Sequence, residues 1–214
     1  MIRHGTPLFL TLAACAVTED RTPIDVRIET SGGDIEARLE LDAAPITVCN
    51  FLRYARGGHY DGGRIFRTVR SGSGIGNPVP IDVIQSAARE GEEHDAFGPI
   101  PLERTSVTGL THEAGALSMA RWGPDTATSS FSIVVEPSPT MDFGGTRNAD
   151  GQGFAVFGYV TQGMELVRAI HAAPADGEML THPIAITRMS FDLGAAEIAE
   201  AVRHRCEAHA LDRD

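Results

Sequence analysis

Arg67 is the residue of this sequence whose type and position most directly suggest chemistry. It lies in YDGGRIFRTVRSG, residues 60–72, where turn residues lead into a short alternating strand from Ile65 to Val69. Alternation predicts that Arg67 shares a face with Ile65 and Val69 and that the two intervening side chains point to the other face. A guanidinium stays protonated and presents several donors in a rigid fork, so it can stabilise a forming anion or lone pair. Taken alone, the pattern is also typical of an edge-strand charge that prevents aggregation.

Other chemistry-bearing patterns in the chain do not complete a recognisable site. Glycines at 72, 74 and 76 follow a strand, but Asn77 and the prolines after it favour a loop over a dinucleotide-binding turn. Among His204, Cys206 and His209, only the last two share a helical face, so a solvated tail is favoured over a metal site. The sequence contains no Gly-x-Ser-x-Gly or zincin motif. We therefore expect no metal and no cofactor.

Composition limits the class of protein. The 214 residues are enough for one domain with short appendages, and 42% hydrophobic residues can form a real core. The formal net charge of −11 argues against nucleic acids and anionic membrane surfaces as partners, since both select for an excess of Lys and Arg. No apolar run approaches the length of a transmembrane helix.

The first residues resemble an export signal. Arg3 precedes a short apolar run, Pro7–Ala14, and small residues lead to Cys15. Leu12-Ala13-Ala14-Cys15 resembles the bacterial lipobox, which makes Cys15 the expected site of lipidation. The expected divisions are therefore a signal peptide with lipobox at 1–15 and a tether at 16–23. The alternative is an N-terminus without a targeting role.

Two cysteines remain after Cys15. An exported protein could join Cys49 and Cys206, but spacing alone does not bring them together. Cys49 lies at an apolar position of a predicted helix, where a buried free thiol is common. We therefore expect no disulfide.

The segment from about residue 24 to 192 reads as many short strands with few helices. Gly, Pro and Asp turns separate the strands, a pattern typical of an antiparallel barrel or sandwich. Strands are predicted at 25–30, 35–41, 65–69, 83–85, 115–120, 131–135, 154–160 and 184–191. Helices are predicted from Pro45 to Gly57 and from 163 to 172, and a further helix at 194–210 carries a narrow apolar stripe.

Short motifs recur along this segment in a fixed order. They are Asn50-Phe51, Phe66-Arg67, Gln85, Leu117-Ser118-Met119-Ala120, Gly123-Pro124, Ser129-Ser130-Phe131, Val156-Phe157-Gly158 and Gly163-Met164. In this order and spacing they resemble the cyclophilins, and most closely the compact bacterial branch. The resemblance covers about Ile24 to Phe191.

The resemblance implies a mainly β fold, a closed eight-stranded antiparallel barrel capped by two α-helices, over 24–192. Beyond it, the apolar stripe predicts a helical tail at 193–214. The resemblance also implies peptidyl-prolyl cis-trans isomerase activity. In this family an arginine donates to the amide nitrogen as the peptide bond twists, and Arg67 occupies that position. Gln85 matches the glutamine that orients the arginine. These two are the expected catalytic residues.

The expected proline pocket departs from the family at several positions. Ser132 stands where a pocket phenylalanine is usual, Ser130 replaces a glutamine that binds peptide backbone, and Phe154 replaces a histidine or tyrosine. Trp122 is expected either to restore apolar surface or to close the groove. The expected substrate-binding residues are Met119, Arg121, Trp122, Ser130, Ser132, Met141 and Phe154.

The sequence thus predicts an isomerase, of reduced activity if the altered pocket binds proline poorly, that assists protein folding in the cell envelope. Its expected partners are proline-containing polypeptides. A periplasmic monomer is expected, touching the membrane only through a lipid on Cys15. The alternative is a non-catalytic module that binds proline peptides or acts as a chaperone on the same barrel.

Overall fold

The computed structural model describes residues 23–73, 76–194 and 196–209. Nine strands lie in this part of the chain: β1 (Pro23–Thr30), β2 (Gly33–Glu40), β3 (Arg64–Val69), β4 (Val83–Ala87), β5 (Ala116–Met119), β6 (Phe131–Val134), β7 (Val156–Gln162), β8 (Ala175–Asp176) and β9 (Met179–Asp192). The α-helices are α1 (Pro45–Arg56), α2 (Thr105–Thr108), α3 (Met164–His171) and α4 (Ala196–Ala208). Two 3₁₀ turns span Glu92–Asp95 and Pro139–Met141.

Eight of these strands close into an antiparallel barrel. The order is β1-β2-β7-β5-β6-β4-β3-β9, and β9 pairs with β1 to complete the circle. The two-residue β8 pairs only with the start of β9, as a hairpin. The predicted eight-stranded barrel is confirmed. Strand β8 was not predicted, because two residues are too few to show alternation.

Alternating apolar residues of the strands form the core together with α1 and α3. Phe51 of α1 lies within 5.2–5.4 Å of the rings of Tyr60, Phe131 and Phe157, measured between centroids. All four side chains are fully buried. This aromatic cluster fixes α1 against the strands, and Phe131 is a core residue as expected.

A distant carboxylate caps the N-terminus of α1. The N-cap residue, Ala44, has no side-chain acceptor. Glu103 instead accepts hydrogen bonds from the backbone N–H groups of Ile46 (3.0 Å) and Thr47 (2.7 Å). A negative charge at a helix N-terminus also interacts favourably with the helix dipole.

Strand β3 contains a β-bulge that the sequence pattern did not predict. Ile65 pairs with Ser86, but Arg67 pairs with the adjacent Gln85, so Phe66 is an extra residue in the ladder. A bulge reverses the side-chain alternation across it. The prediction that Ile65 and Arg67 share a face is therefore wrong.

A disulfide joins Cys49 of α1 to Cys206 of α4. The expectation of no disulfide is wrong. Cys49 is buried as predicted, at 2% exposure, but its neighbour is the apolar stripe of α4, where Val202 and Cys206 are also buried. The pairing could not be read from the sequence, because the two cysteines are 157 residues apart. An ion pair between Arg205 and Asp42, 2.8 Å, also holds α4 in place.

The predicted signal peptide and Cys15 lie outside the described residues, as does the predicted tether except Pro23, which begins β1. None of the helices in the described ranges has the length and hydropathy needed to cross a membrane.

Candidate active site

A cavity of about 440 Å³ opens on the side of the barrel where β3, β4, β5 and β6 lie next to one another. The strand register explains its floor. Arg67 and Val69 of β3 pair with Gln85 and Val83 of β4, and Gln85 pairs with Ser132 of β6. Nine of the predicted site residues line this cavity: Arg67, Gln85, Met119, Arg121, Trp122, Ser130, Ser132, Met141 and Phe154. The predicted lipidation site, Cys15, is outside the described residues.

The Arg67 guanidinium is held on two sides. Its Nη1 donates to Oε1 of Gln85 at 2.8 Å, and its Nε donates to Oε2 of Glu178 at 2.9 Å. Nη2 also donates to Glu178 Oε2. Each terminal nitrogen carries two N–H groups, so Nη1 and Nη2 each keep one that these partners do not use. The side chain is 32% exposed. The arrangement presents a fixed cationic donor to a ligand in the cavity.

Glu178 is a partner of Arg67 that sequence reasoning missed. It lies in the turn between β8 and β9, and its backbone carbonyl accepts from the N–H of Thr68 at 2.8 Å. The carboxylate lies outside the cavity lining, against Gly76, where an added Cβ would be 2.5 Å from Oε1. Its only sequence signal is an acidic residue after a glycine turn, which is too common to indicate a site.

Apolar side chains form one wall of the cavity. Met119 and Met141 are buried, as are Val83 and Ile81. Phe154 packs against this wall, and its backbone N–H donates to the carbonyl of Met141 at 3.0 Å. This wall can receive a small apolar ring.

The floor of the cavity is more polar than the resemblance implied. Ser132 lies in β6 between Gln85 and Ser118, in the position where a phenylalanine ring would cover the floor. Ser130 Oγ lies 3.0 Å from His94 Nε2. The replacement of the ring by a hydroxyl therefore enlarges the cavity and adds hydrogen-bonding groups to it.

Arg121 is fixed by its own set of partners. Nη1 and Nη2 donate to the two carboxylate oxygens of Asp150 at 2.8 and 2.9 Å, and Nε donates to the Gly153 carbonyl at 2.7 Å. The guanidinium lies 5.1 Å from the centre of the Phe154 ring. Its hydrogen bonds lower the pKa of Asp150 to about 2. Arg121 thus holds the Phe154 wall in position.

Trp122 stands at the rim of the cavity with its side chain 98% exposed. The backbone of Trp122 and Gly123 is fixed by donation to Oγ1 of Thr126 at 3.1 and 3.0 Å. In this position the ring does not close the groove, and its expected contribution of apolar surface stays a prediction.

A buried Ser-His-Asp network supports the base of the cavity and was also missed. His112 Nδ1 lies 2.6 Å from Asp142 Oδ1, and His112 Nε2 lies 2.9 Å from Ser118 Oγ. The residue types are those of a hydrolase triad, but Ser118 is only 1% exposed, so it cannot attack a bound substrate. The network links β5 to the loop that carries Met141.

Two further residues line the cavity without any motif that pointed to them. Arg147 and Asn148 lie in the long loop before β7.

In the described ranges, no group of three or more His, Cys, Asp or Glu residues could hold a metal ion.

Comparisons with known proteins agree with this fold and site. The family model for cyclophilin type peptidyl-prolyl cis-trans isomerases matches residues 25–191. Peptidyl-prolyl cis-trans isomerase B of Bacillus subtilis is 37% identical over 137 residues, which is 64% of this chain and 82% of that protein. Its namesake in Escherichia coli is 35% identical over 147 residues, 68% and 82% of the two chains. The isomerase cyp18 of Streptomyces antibioticus is 33% identical over 146 residues, 68% and 81%.

Solved structures show the same fold at lower identity. The crystal structure of a cyclophilin type isomerase from Cryptosporidium parvum superposes with a TM-score of 0.63 at 21% identity, covering 81% of this chain and 99% of that one. A second structure of that protein, determined in the presence of the dipeptide Ala-Pro, gives a TM-score of 0.61 at 21% identity, covering 78% and 98%. Together with the family match, these findings show that the chain belongs to the cyclophilin-type peptidyl-prolyl cis-trans isomerases.

Proposed function

We propose that this cyclophilin isomerises X–Pro bonds of proteins outside the cytoplasm and thereby assists their folding. The observation that carries the proposal is the fixed Arg67 guanidinium at the cavity, hydrogen-bonded to Gln85 and backed by Glu178. A free N–H on a rigid cation beside an apolar wall is what the reaction requires.

The chemistry follows from the electronic structure of the amide. Rotation about a peptide bond faces a barrier of ~18–20 kcal/mol, because it breaks the conjugation between nitrogen and carbonyl. As conjugation is lost, the proline nitrogen regains its lone pair. A donor aimed at that nitrogen binds the twisted transition state more strongly than the planar ground state. Arg67 is the donor, and Gln85 fixes its direction.

We expect the proline ring to lie against the apolar wall formed by Met119, Met141 and Phe154. Burying a ring of this size against apolar surface contributes up to about 3 kcal/mol. With Ser132 in place of a phenylalanine, less of the ring is covered. We therefore expect weak binding of short, uncharged proline peptides and a high KM.

The disulfide supports a location outside the cytoplasm. Disulfides persist in oxidising compartments and are rare where thiols are kept reduced. The bond between Cys49 and Cys206 therefore agrees with the predicted export signal. A lipid on Cys15 is the proposed anchor, and the proposed location is the periplasmic side of a bacterial membrane.

The second candidate function is a non-catalytic module that binds proline peptides. The polar floor at Ser130 and Ser132 favours it, because a site without a complete ring-binding surface can retain peptide binding without turnover.

Exchange NMR on a short X–Pro peptide distinguishes the two functions. We expect turnover by the wild type and a decrease of about 100-fold in Arg67→Ala, the effect of removing one transition-state donor. Arg64→Ala is the matched control, because Arg64 lies on the same strand but pairs with Glu90 at the surface. Peptide binding without turnover in the wild type would support the module instead.

Metabolic labelling with palmitate tests the anchor. Incorporation in the wild type and none in Cys15→Ser is the expected result. An unlabelled wild type would show that Cys15 is not lipidated.

A further inference from the structure

The charge of the cavity differs from that of the protein. The sequence has 29 acidic and 18 basic residues, yet no Asp or Glu lines the cavity among the described residues. Three arginines and one histidine do: Arg67, Arg121, Arg147 and His94. An acidic protein with a cationic cavity favours an anionic ligand at that place, because the field concentrates opposite charge there.

Two of the three arginines already have a carboxylate. Arg67 is paired with Glu178, and Arg121 forms a bidentate pair with Asp150. Their positive charges are balanced inside the protein. The surplus charge of the cavity therefore belongs to the remaining arginine.

Arg147 has no carboxylate within salt-bridge distance among the described residues. It is only 8% exposed. Its Nη1 donates to the backbone carbonyl of Val79 at 2.6 Å and lies 3.5 Å from that of Asn77. Its Nε and Nη2 donate to none of the residues that the structure describes. Burial and the nearby Arg67 lower the pKa of Arg147, although Glu178 acts against them. A buried charge without a counter-ion is costly and is stabilised by an anion that reaches it.

Other side chains that line the cavity also carry hydrogen-bond donors. Asn148 Nδ2 is buried and makes no hydrogen bond in the described part of the chain. Ser132 contributes a hydroxyl where the family resemblance implies a phenylalanine. Asn148 follows Arg147 in the chain, so one loop brings an unpaired amide N–H and an uncompensated guanidinium to the cavity. A carboxylate can accept from both, and its hydrogen bonds to a guanidinium are charge-assisted and strong.

We propose that Arg147 and Asn148 form an anion subsite that selects peptides carrying a carboxylate side chain next to the proline. The subsite deepens the proposed isomerase function and rests on it. The carboxylate supplies the counter-ion of Arg147, and this attraction strengthens the binding of a proline ring that Ser132 covers less completely than a phenylalanine would. Substrates are then acidic X–Pro or Pro–X segments with Asp or Glu beside the proline.

A matched peptide series tests the subsite. Exchange NMR gives kcat/KM for peptides that differ only in Glu, Gln or Lys on either side of one proline. We expect the kcat/KM of the wild type to be about tenfold higher for Glu than for Gln on at least one side of the proline. This is the size of effect expected from one hydrogen bond between charged groups. Lys should be the poorest. The preference for Glu should shrink as salt is added, since screening weakens the attraction.

Substitution locates the preference. In Arg147→Met the ratio of kcat/KM for the Glu peptide to that for the Gln peptide should fall close to one. In Arg203→Met, a control on the exposed surface of α4, this ratio should stay at the wild-type value. Circular dichroism tests whether Arg147→Met is folded. If the variant does not fold, the salt dependence of the wild-type kcat/KM ratio for Glu over Gln peptides decides. Equal rates for Glu and Gln peptides in the wild type would overturn the subsite while leaving the isomerase intact. No turnover of any peptide would instead refute the proposed function.

Discussion

Replacing both Cys49 and Cys206 by alanine should lower the free energy of unfolding by about 3–5 kcal/mol. The two residues are 157 positions apart, so the bond closes a loop that contains six of the eight barrel strands. In the chain-entropy model, a loop of this length restricts the unfolded chain by about 5 kcal/mol at room temperature. The measured loss is expected to be smaller than that limit, because real unfolded chains retain some structure.

Urea unfolding followed by far-UV circular dichroism measures the change. The oxidised wild type is compared with Cys49→Ala/Cys206→Ala, each with and without a thiol reductant. Reductant should lower the midpoint of the wild type toward that of the double variant and leave the double variant unchanged. A free energy of unfolding of the double variant within about 1 kcal/mol of that of the oxidised wild type would refute the reasoning. In the chain-entropy model even a short disulfide loop contributes more than this to stability.

Three further predictions concern residues that line the cavity or hold its arginines. Glu178→Ala should lower kcat about tenfold with little change in KM, because Arg67 loses the partner that orients it. Glu178→Gln should recover most of kcat. If the role of Glu178 were purely structural, stability would change without this selective loss of kcat. Ser132→Phe should lower KM for an uncharged proline peptide by about tenfold, and an unchanged KM would contradict the place given to the proline ring. Asp150 has a pKa lowered to about 2, so its pair with Arg121 stabilises the fold above about pH 4 and is lost as the pH falls toward 2. Thermal melting should therefore show Asp150→Asn below the wild type by about 1 kcal/mol at neutral pH, allowing for solvent screening. The difference should shrink as the pH falls through 2 and vanish below it, and a constant gap would contradict the assignment.

The sequence was informative where a residue's role depends on near neighbours. Alternating strands and the helix starting at Pro45 were recognisable because side-chain periodicity repeats within a few residues. The cavity residues were found because the motifs of the family recur in register, and each of the nine lines the cavity.

The errors arose where the structure depends on distant parts of the chain or on local irregularity. The bulge at Phe66 leaves no trace in a pattern of apolar and polar residues, although it decides which way Arg67 points relative to Ile65. Glu178 and Cys206 meet their partners only after the barrel has closed and α4 has docked. Arg147 lies in a loop without periodicity, so its burial could not be predicted.

The exposed position of Trp122 makes the protein optically unusual. It is the only tryptophan in the sequence, and it stands at the rim of the cavity rather than in the core. Its emission in the native state should therefore already be that of an indole in water and should change little when the protein unfolds. A peptide that covers the ring should shift the emission to shorter wavelength. Intrinsic fluorescence of this protein thus reports occupancy of the cavity, and it does so without a label.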